Sequence, residues 1–227
     1  MTLISERFNE VRQRIVSAAS RSNRGAGEVE LVAVSKTYPI ERIREAFEEA
    51  DQELFGESRV QEGILKIPEL PGRLRWHFIG HLQSNKIRKA LPLFELIHGV
   101  DSGATALEID RIAAELGLFP RVLLEVNVSA EASKKGFFPD ILKREMDGLL
   151  ALPRLQVEGL MTMAPLAKEA ESSRPYFALL RELRDQIALR AGIPLGTLSM
   201  GMSGDFEVAV EEGATLVRIG SALFGER

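Results

Sequence analysis

Lys36 follows directly on an apolar, strand-like run, and its amine is a candidate for covalent chemistry. The run over 31–35 reads "LVAVS" and is apolar up to its last residue. A lysine at a strand end usually reaches solvent while its stem covers apolar surface. A desolvated lysine amine instead forms Schiff bases with carbonyl compounds. Which of the two readings applies to Lys36 depends on what the fold brings beside it.

A second group of candidates lies near the carboxyl end of the chain, in "SMGMSGD" and "VRIGS". Arg218 stands in an apolar run, and burying an arginine without a partner is costly. It therefore needs either an ion pair across the fold or a ligand. Gly220 and Ser221 follow, and Ser203 lies among further glycines. Glycine lets a ligand approach the backbone closely, and consecutive N–H groups beside hydroxyls suit a phosphate.

These candidates require a fold that joins distant segments, and the apolar pattern indicates one. After an amphipathic helix over 3–19, strand-like and helix-like runs alternate. Strands that are nearly all apolar are typical of a parallel sheet covered on both faces. About eight strand–helix units in 227 residues predict a single α/β domain over 1–227, a (β/α)8 TIM barrel with an extra N-terminal helix. A doubly wound open sheet is the alternative.

The element bounds follow from the same pattern. The predicted strands are 31–35, 53–57, 76–80, 96–100, 122–129, 157–163, 197–201 and 216–220, and the predicted helices after the first include 40–50, 104–116, 140–151 and 168–191.

A barrel gathers functional groups at the carboxyl ends of its strands. Lys36 would end the first strand, and the phosphate-type residues would follow strands seven and eight. Pyridoxal 5'-phosphate matches this set, because it has an aldehyde for a lysine, a phosphate, and a ring nitrogen that needs a partner. Arg218 would lie close to that nitrogen. Met200 is a candidate for packing on the flat ring, although methionine more often fills core gaps.

Several longer motifs carry a family resemblance. They are "LVAVSKTYP", "LFGESRVQE", "WHFIGHLQSNK", "EVNVSAEASKKGF", "GLMTMAP" and "LSMGMSGDFEVAVEEGATLVRIGSALFG", spread over about residues 30–225. With them the chain resembles the pyridoxal phosphate homeostasis protein family, whose fold resembles the N-terminal barrel of alanine racemase. The resemblance implies that Lys36 holds pyridoxal phosphate as an internal aldimine. It also implies that Arg218 faces the pyridine nitrogen and that residues matching Ser203, Gly220 and Ser221 bind the phosphate.

Three positions depart from the family's pattern: Ser58, Arg59 and Ser221. The family commonly reads "FGENYVQE" where this chain has "FGESRVQE". Ser58 therefore replaces an asparagine that lies beside the cofactor in the family, and it offers a hydroxyl with a shorter reach. Ser221 stands where the family usually has threonine, so the hydroxyl is kept.

Composition excludes several classes of protein. The chain has no cysteine, which removes disulfides, thiolate metal sites and cysteine nucleophiles. Its net charge of -4 gives no general attraction to nucleic acid. No apolar run nears the ~20 residues of a membrane span, and the charged start lacks a signal-peptide core, so a cytoplasmic protein is expected. His77 and His81 lie in a strand-like run without the glutamate of a zinc-binding helix, so no metal is expected.

Two functions remain open. One is a protein that holds pyridoxal phosphate in vitamin B6 homeostasis and passes it to apo-enzymes. The other is an amino-acid racemase. Alanine racemase draws a tyrosine base from a second domain, and neither Tyr38 nor Tyr176 is placed by the sequence as such a base. Arg218, which stays charged, disfavours a proton on the ring nitrogen and weakens the cofactor as an electron sink. The sequence favours the binding protein, with no catalytic residue and a monomeric state.

A last candidate lies on the loop after the fifth strand. Lys134 and Lys135 are expected at the mouth of the barrel, where either could form a second, weaker Schiff base.

Overall fold

Eight parallel strands close into a barrel in chain order. The computed structural model describes residues 2–131 and 134–225. β1 pairs with β8, which closes the sheet, and the register places Val32 beside Arg218. The strands are β1 (Glu30–Val34), β2 (Leu54–Glu57), β3 (Arg75–Phe78), β4 (Leu96–Val100), β5 (Arg121–Glu125), β6 (Gln156–Met161), β7 (Thr197–Ser199) and β8 (Leu216–Ile219).

Helices cover the outside of the barrel. Short 3-10 turns occupy Ala26–Glu28, Ile67–Glu69, Ser84–Lys86 and Ala170–Ser173. The α-helices are α1 (Leu3–Arg21), α2 (Ile40–Ala50), α3 (Val60–Lys66), α4 (Ile87–Ala90), α5 (Gly103–Leu116), α6 (Pro139–Leu150), α7 (Arg174–Ala191), α8 (Phe206–Glu211) and α9 (Ser221–Phe224). Within the described residues, none of these helices is long and apolar enough to cross a membrane.

The extra helix α1 precedes the first strand. The Thr2 side chain caps it by accepting from the amide of Ser5, which satisfies an otherwise free N–H. Its buried face carries Ile4, Phe8 and Val11, and it packs against α2, α8 and α9.

The core has two parts because side chains of a strand alternate between its faces. A large outer cluster fills the space between sheet and helices. A smaller cluster fills the barrel lumen and comprises Val32, Leu54, Leu96, Leu123, Met161 and Leu216. The lumen is therefore a packed core, as expected for a barrel of eight strands.

The predicted (β/α)8 barrel with its N-terminal helix is confirmed, and the alternative of an open sheet is wrong, because β1 pairs with β8. Six of the eight predicted strands run too far at their carboxyl ends, most of all the fifth, which ends at Glu125 rather than 129. The second and fourth strands end where the sequence predicts. Polar groups beyond it are bonded within the following loop, for example Asn127 to the carbonyl of Glu131 at 2.8 Å. The predicted helix 168–191 begins later, at Arg174, because a 3-10 turn precedes it.

Gly159 allows β6 to lie against β7. A Cβ atom at this position would stand 1.8 Å from the carbonyl oxygen of Thr197. Real Cβ atoms do not approach backbone so closely, so any side chain here forces the two strands apart.

We expect Gly159→Ala to lower the free energy of unfolding by about 3 kcal/mol or more, since overpacking against backbone cannot relax by a rotamer change. Gly148→Ala is the matched control. Gly148 lies inside α6, and a Cβ atom added there would have no neighbour within 4 Å, so alanine should add about 0.5–1 kcal/mol. Urea unfolding followed by circular dichroism measures both. A Gly159→Ala protein as stable as wild type would contradict the strand contact.

Candidate functional site

Lys36 occupies a tight turn immediately after β1. The amide of Ser35 donates to the carbonyl of Gly56 at 3.0 Å. Thr37 adopts a φ of 67°, which is uncommon for a β-branched residue, and its amide donates to Glu62 Oε2 at 2.8 Å. The turn is thus held on both sides of Lys36, whose side chain lines a cavity at the carboxyl ends of the strands, the mouth of the barrel.

A buried ion pair supports this turn from outside the barrel. Lys66 Nζ lies 2.8 Å from Glu57 Oε1, 2.8 Å from Glu62 Oε2 and 3.0 Å from the carbonyl of Ser35. The Ser35 hydroxyl donates to the same Glu57 oxygen at 2.8 Å. Burial raises the pKa of Glu57, and the hydrogen bond from Lys66 opposes that rise. Because each charge depends on its partner, the pair ties α3 to the strand end that carries Lys36.

The loops after β7 and β8 form a cup of hydrogen-bond donors. The Ser203 and Ser221 hydroxyl oxygens are 3.3 Å apart. In the described part of the chain, the amides of Ser203, Gly204, Ser221 and Ala222 donate to no protein acceptor. A Cβ atom at Gly220 would come within 3.3 Å of Val34, so glycine lets the end of β8 lie close to β1 here. Free amides beside hydroxyls are the donor set that binds a phosphate.

Arg218 projects from β8 into the lumen and is buried. Its Nη1 donates to Ser199 Oγ, and its Nη2 donates to the carbonyl of Thr162 at 3.0 Å. Burial lowers the pKa of Arg218 to about 10, although Glu125 and Asp205 act in the opposite direction. The guanidinium is therefore charged at neutral pH. Its hydrogen bonds within the described chain go to uncharged oxygens, so the charge remains available to a ligand.

These groups share one cavity of about 330 Å³. Five of the sequence-predicted residues line it: Lys36, Ser203, Arg218, Gly220 and Ser221. Val34, Ile79, Met163 and Met202 supply apolar surface. An amine, an anion cup and a guanidinium thus meet beside an apolar wall, which suits a flat, phosphorylated carbonyl compound.

Two predicted residues lie outside the wall of this cavity. Met200 is fully buried in the outer cluster. Its neighbour Ser199 faces the lumen, so alternation along the strand turns Met200 toward the helices. Ser58 lies in the loop after β2, with its backbone against Gly80. Their contacts with a cofactor stay predictions.

Sequence reasoning passed over two acidic groups near the mouth. Glu125 ends β5 and is buried. Burial and the charge of Asp101 raise the pKa of Glu125 to about 7, while Arg218 and Lys135 oppose the rise. Its sequence signal is a carboxylate inside the apolar run "VLLEVNV". Asp205 lines the cavity and has no comparable signal.

The two loop lysines have different partners. Lys134 Nζ lies 2.8 Å from Glu131 Oε1, while Lys135 Nζ lies 2.6 Å from His81 Nε2. The His81 ring in turn lies 3.0 Å from Asp101 Oδ2. A second Schiff base on either lysine stays a prediction. Across the described ranges, no group of three His, Asp or Glu side chains is arranged to hold a metal ion.

Fold and cavity together define a class, a parallel barrel with a lysine and an anion cup at its mouth. The sequence matches the family described as alanine racemase, N-terminal domain, over residues 9–227. Alanine racemase of Clostridium difficile shares this fold, with a TM-score of 0.74 and 17% identity, over 98% of this chain and 57% of that one.

Much closer relatives narrow the class. The pyridoxal phosphate homeostasis protein of Aquifex aeolicus is 46% identical over 98% of this chain and 97% of its own length. Its namesake in Escherichia coli is 42% identical over 100% and 98%. PipY of Synechococcus elongatus, solved with pyridoxal phosphate bound, has a TM-score of 0.81 and 43% identity over 95% of this chain and 100% of that one. The chain belongs to the pyridoxal phosphate homeostasis protein family.

The Lys66–Glu57 pair has a measurable consequence for stability. Lys66→Met leaves the Glu57 carboxylate buried without its cation, and we expect a loss of about 3–5 kcal/mol in the free energy of unfolding. The double variant Glu57→Gln/Lys66→Met should recover part of that loss, because no buried charge remains. Lys89→Met, at an exposed position, should stay within about 0.5 kcal/mol of wild type. Equal stabilities for the two lysine variants in urea unfolding would show that the pair does not stabilise the fold.

Proposed function

We propose that this protein binds pyridoxal 5'-phosphate through a Schiff base on Lys36 and acts in its homeostasis. The single observation that carries the proposal is the meeting of Lys36, Arg218 and the donor cup in one cavity. PipY, at 43% identity, was solved with this cofactor bound. Neither a lysine nor a phosphate cup alone would select pyridoxal phosphate. A cavity with both groups matches a ligand that carries an aldehyde and a phosphate on one ring.

The residues present fit the cofactor's parts. The free amides and hydroxyls of the cup would hold the phosphate, and Ser203 and Ser221 are already oriented toward each other at 3.3 Å. Arg218 would face the ring nitrogen as a donor. Met163 and Met202, which line the cavity, would pack on the ring. All side chains in this assignment line the cavity that contains Lys36.

Lys36 would supply the covalent bond. When bound, the cofactor would supply an aldehyde carbon, and a neutral Lys36 amine would condense with it with loss of one water. The turn around Lys36, held through Ser35 and Thr37, limits where the amine can reach. Holding the lysine in place lowers the entropy lost when the bond forms.

Retention of the cofactor, rather than turnover of amino acids, follows from Arg218. A guanidinium beside the ring nitrogen disfavours protonation of that nitrogen, which weakens the ring as an electron sink. Tyr38 donates to the carbonyl of Gly225 at 2.6 Å, and Tyr176 packs against the outer core. Neither tyrosine lines the cavity, so neither is placed as the second base of a racemase.

The proposed role in the cell goes beyond binding of the cofactor. We propose that residues 1–227 act as one domain that delivers pyridoxal phosphate to apo-enzymes. The expected monomeric state and cytoplasmic location stay predictions.

The Lys36 assignment is tested by reduction with borohydride. After equimolar pyridoxal phosphate and borohydride, wild type should carry one pyridoxyl group on the peptide containing Lys36. Lys36→Ala should lose it, and Lys168→Ala, at an exposed loop position, should keep it. Peptide mapping at excess cofactor also reports any label on Lys134 or Lys135. An equal yield of adduct in Lys36→Ala and wild type would exclude Lys36 as the attachment site.

The phosphate cup is tested by comparing two ligands. Ser221→Asp places negative charge against the phosphate, so we expect its affinity for pyridoxal phosphate to fall at least about a hundredfold. Its affinity for unphosphorylated pyridoxal should fall much less. Ser221→Thr keeps the hydroxyl and should bind both ligands like wild type. Equal losses for the two ligands, measured by absorbance titration, would place the phosphate elsewhere.

The racemase alternative is tested by α-proton exchange in deuterated water. With bound cofactor and alanine, wild type should show negligible exchange by proton NMR. Exchange at enzyme-like rates, about 1 s⁻¹ or faster, would overturn the holding role and favour a racemase.

A further inference from the structure

A continuous line of hydrogen bonds crosses the lumen below the cavity. Arg218 Nη1 donates to Ser199 Oγ. Ser199 Oγ lies 2.9 Å from His98 Nδ1, and His98 Nε2 lies 3.0 Å from His77 Nδ1. All four side chains are buried. The line therefore joins strands β3, β4, β7 and β8 through the middle of the barrel.

The line has a direction, because arginine can only donate. Ser199 Oγ accepts a hydrogen bond from Arg218, so the Ser199 hydroxyl donates its own hydrogen bond to His98 Nδ1. His98 carries its proton on Nε2 and donates to His77 Nδ1, so His77 carries its proton on Nε2. The reverse arrangement would leave both the Ser199 proton and His77 Nε2 without partners in the described chain. The forward arrangement leaves only the His77 Nε2–H, which is without an acceptor among the described residues.

Both histidines must be neutral for this arrangement. Burial lowers the pKa of His77 to about 3, and the charges of Arg75 and Arg121 contribute against that of Glu95. Burial likewise lowers the pKa of His98, with His77 and Arg218 adding to the effect.

We propose that Ser199, His98 and His77 are positioning residues that lock the Arg218 guanidinium in place beneath the cofactor cavity. Among the described residues, Arg218 has no ion-pair partner within bonding distance, and Glu125 acts on it only through longer-range attraction. Ser199 and the carbonyl of Thr162 are its hydrogen-bond acceptors. Without the Ser199 hydroxyl, the guanidinium is free to turn toward Glu125, which would neutralise the charge that the cavity needs.

The chain of donors also explains the choice of histidine. Each imidazole ring accepts a hydrogen bond on one nitrogen and donates one from the other. Successive hydrogen bonds in the line therefore keep the same donor-to-acceptor direction. A positioning role for Arg218 toward a bound ring rests on the proposed function. The tautomers themselves do not, because they concern the protein alone.

The first test uses cofactor-free wild-type protein and long-range ¹H–¹⁵N NMR of its histidines. We expect His98 and His77 to be neutral with the proton on Nε2, and to stay so from pH 8 down to about pH 5. A proton on Nδ1 of His98, or an imidazolium in this range, would overturn the proposal whether or not the protein binds pyridoxal phosphate.

The second test uses Ser199→Ala, with Leu96→Val as a matched lumen control. Losing one hydrogen bond to a charged group should weaken binding of both pyridoxal phosphate and pyridoxal by about tenfold. Affinity for inorganic phosphate should not change, because the cup is intact. Leu96→Val should bind all three ligands like wild type. The NMR signal of His98 should move in Ser199→Ala, since its acceptor nitrogen loses a partner.

The outcomes separate the two claims. If wild type does not bind pyridoxal phosphate, the proposed function is wrong. The histidine tautomers measured by NMR would still test the line of hydrogen bonds, because that test needs no cofactor. If wild type binds and Ser199→Ala binds both ligands equally well, Arg218 is not positioned through Ser199. A loss confined to the phosphorylated ligand, or an equal loss in Leu96→Val, would likewise contradict the positioning role.

Discussion

Pairing of β1 with β8 joins the two ends of the chain at one cavity. The register sets Val32 beside Arg218, so Lys36 leaves one strand next to the strand that carries Arg218 and Gly220. Each parallel strand ends at the same mouth, and closure turns those ends inward around a common space. The cavity, its amine and its donor cup all depend on this seam, because no local segment contains them together.

The structure treats its buried charges in two ways. Outside the barrel, Lys66 is matched by Glu57 and Glu62 at hydrogen-bonding distance, and this pair stiffens the turn at Lys36. Inside the lumen, Arg218 meets a hydroxyl and a carbonyl instead of a bonded carboxylate. A charge paired with an opposite charge stabilises the structure. A charge that is hydrogen-bonded only to uncharged acceptors is not neutralised, so it can attract a ligand. This contrast supports the proposal that the cavity at Arg218 binds the ligand, while the Lys66 pair supports the turn at Lys36.

Under the proposed function, this contrast also explains how the protein would hold a reactive cofactor. In that proposal, an amine confined by a rigid turn, an anion cup and a guanidinium facing the ring nitrogen would favour tight, specific retention. The same guanidinium would weaken the ring as an electron sink. The cavity would thus combine strong anchoring of the cofactor with poor support for carbanion chemistry.

The sequence by itself determined a parallel α/β domain and favoured the barrel, because eight apolar runs alternate with amphipathic helices. Only the structure excluded the open sheet, since closure depends on the pairing of β1 with β8. The sequence also determined the chemical types at the mouth, since Lys36, Arg218 and Ser221 follow or interrupt apolar strands. Only the tertiary structure decided that Met200 faces the helices. Successive side chains of a strand point to opposite faces, so a shift of one residue would have turned Met200 into the lumen. The tertiary structure alone revealed the line from Arg218 to His77, because those partners come from four strands and their hydrogen bonds have no sequence spacing. Local patterns record which face of an element is apolar, but contacts across a closed barrel depend on register, which is set by the packing of the whole sheet.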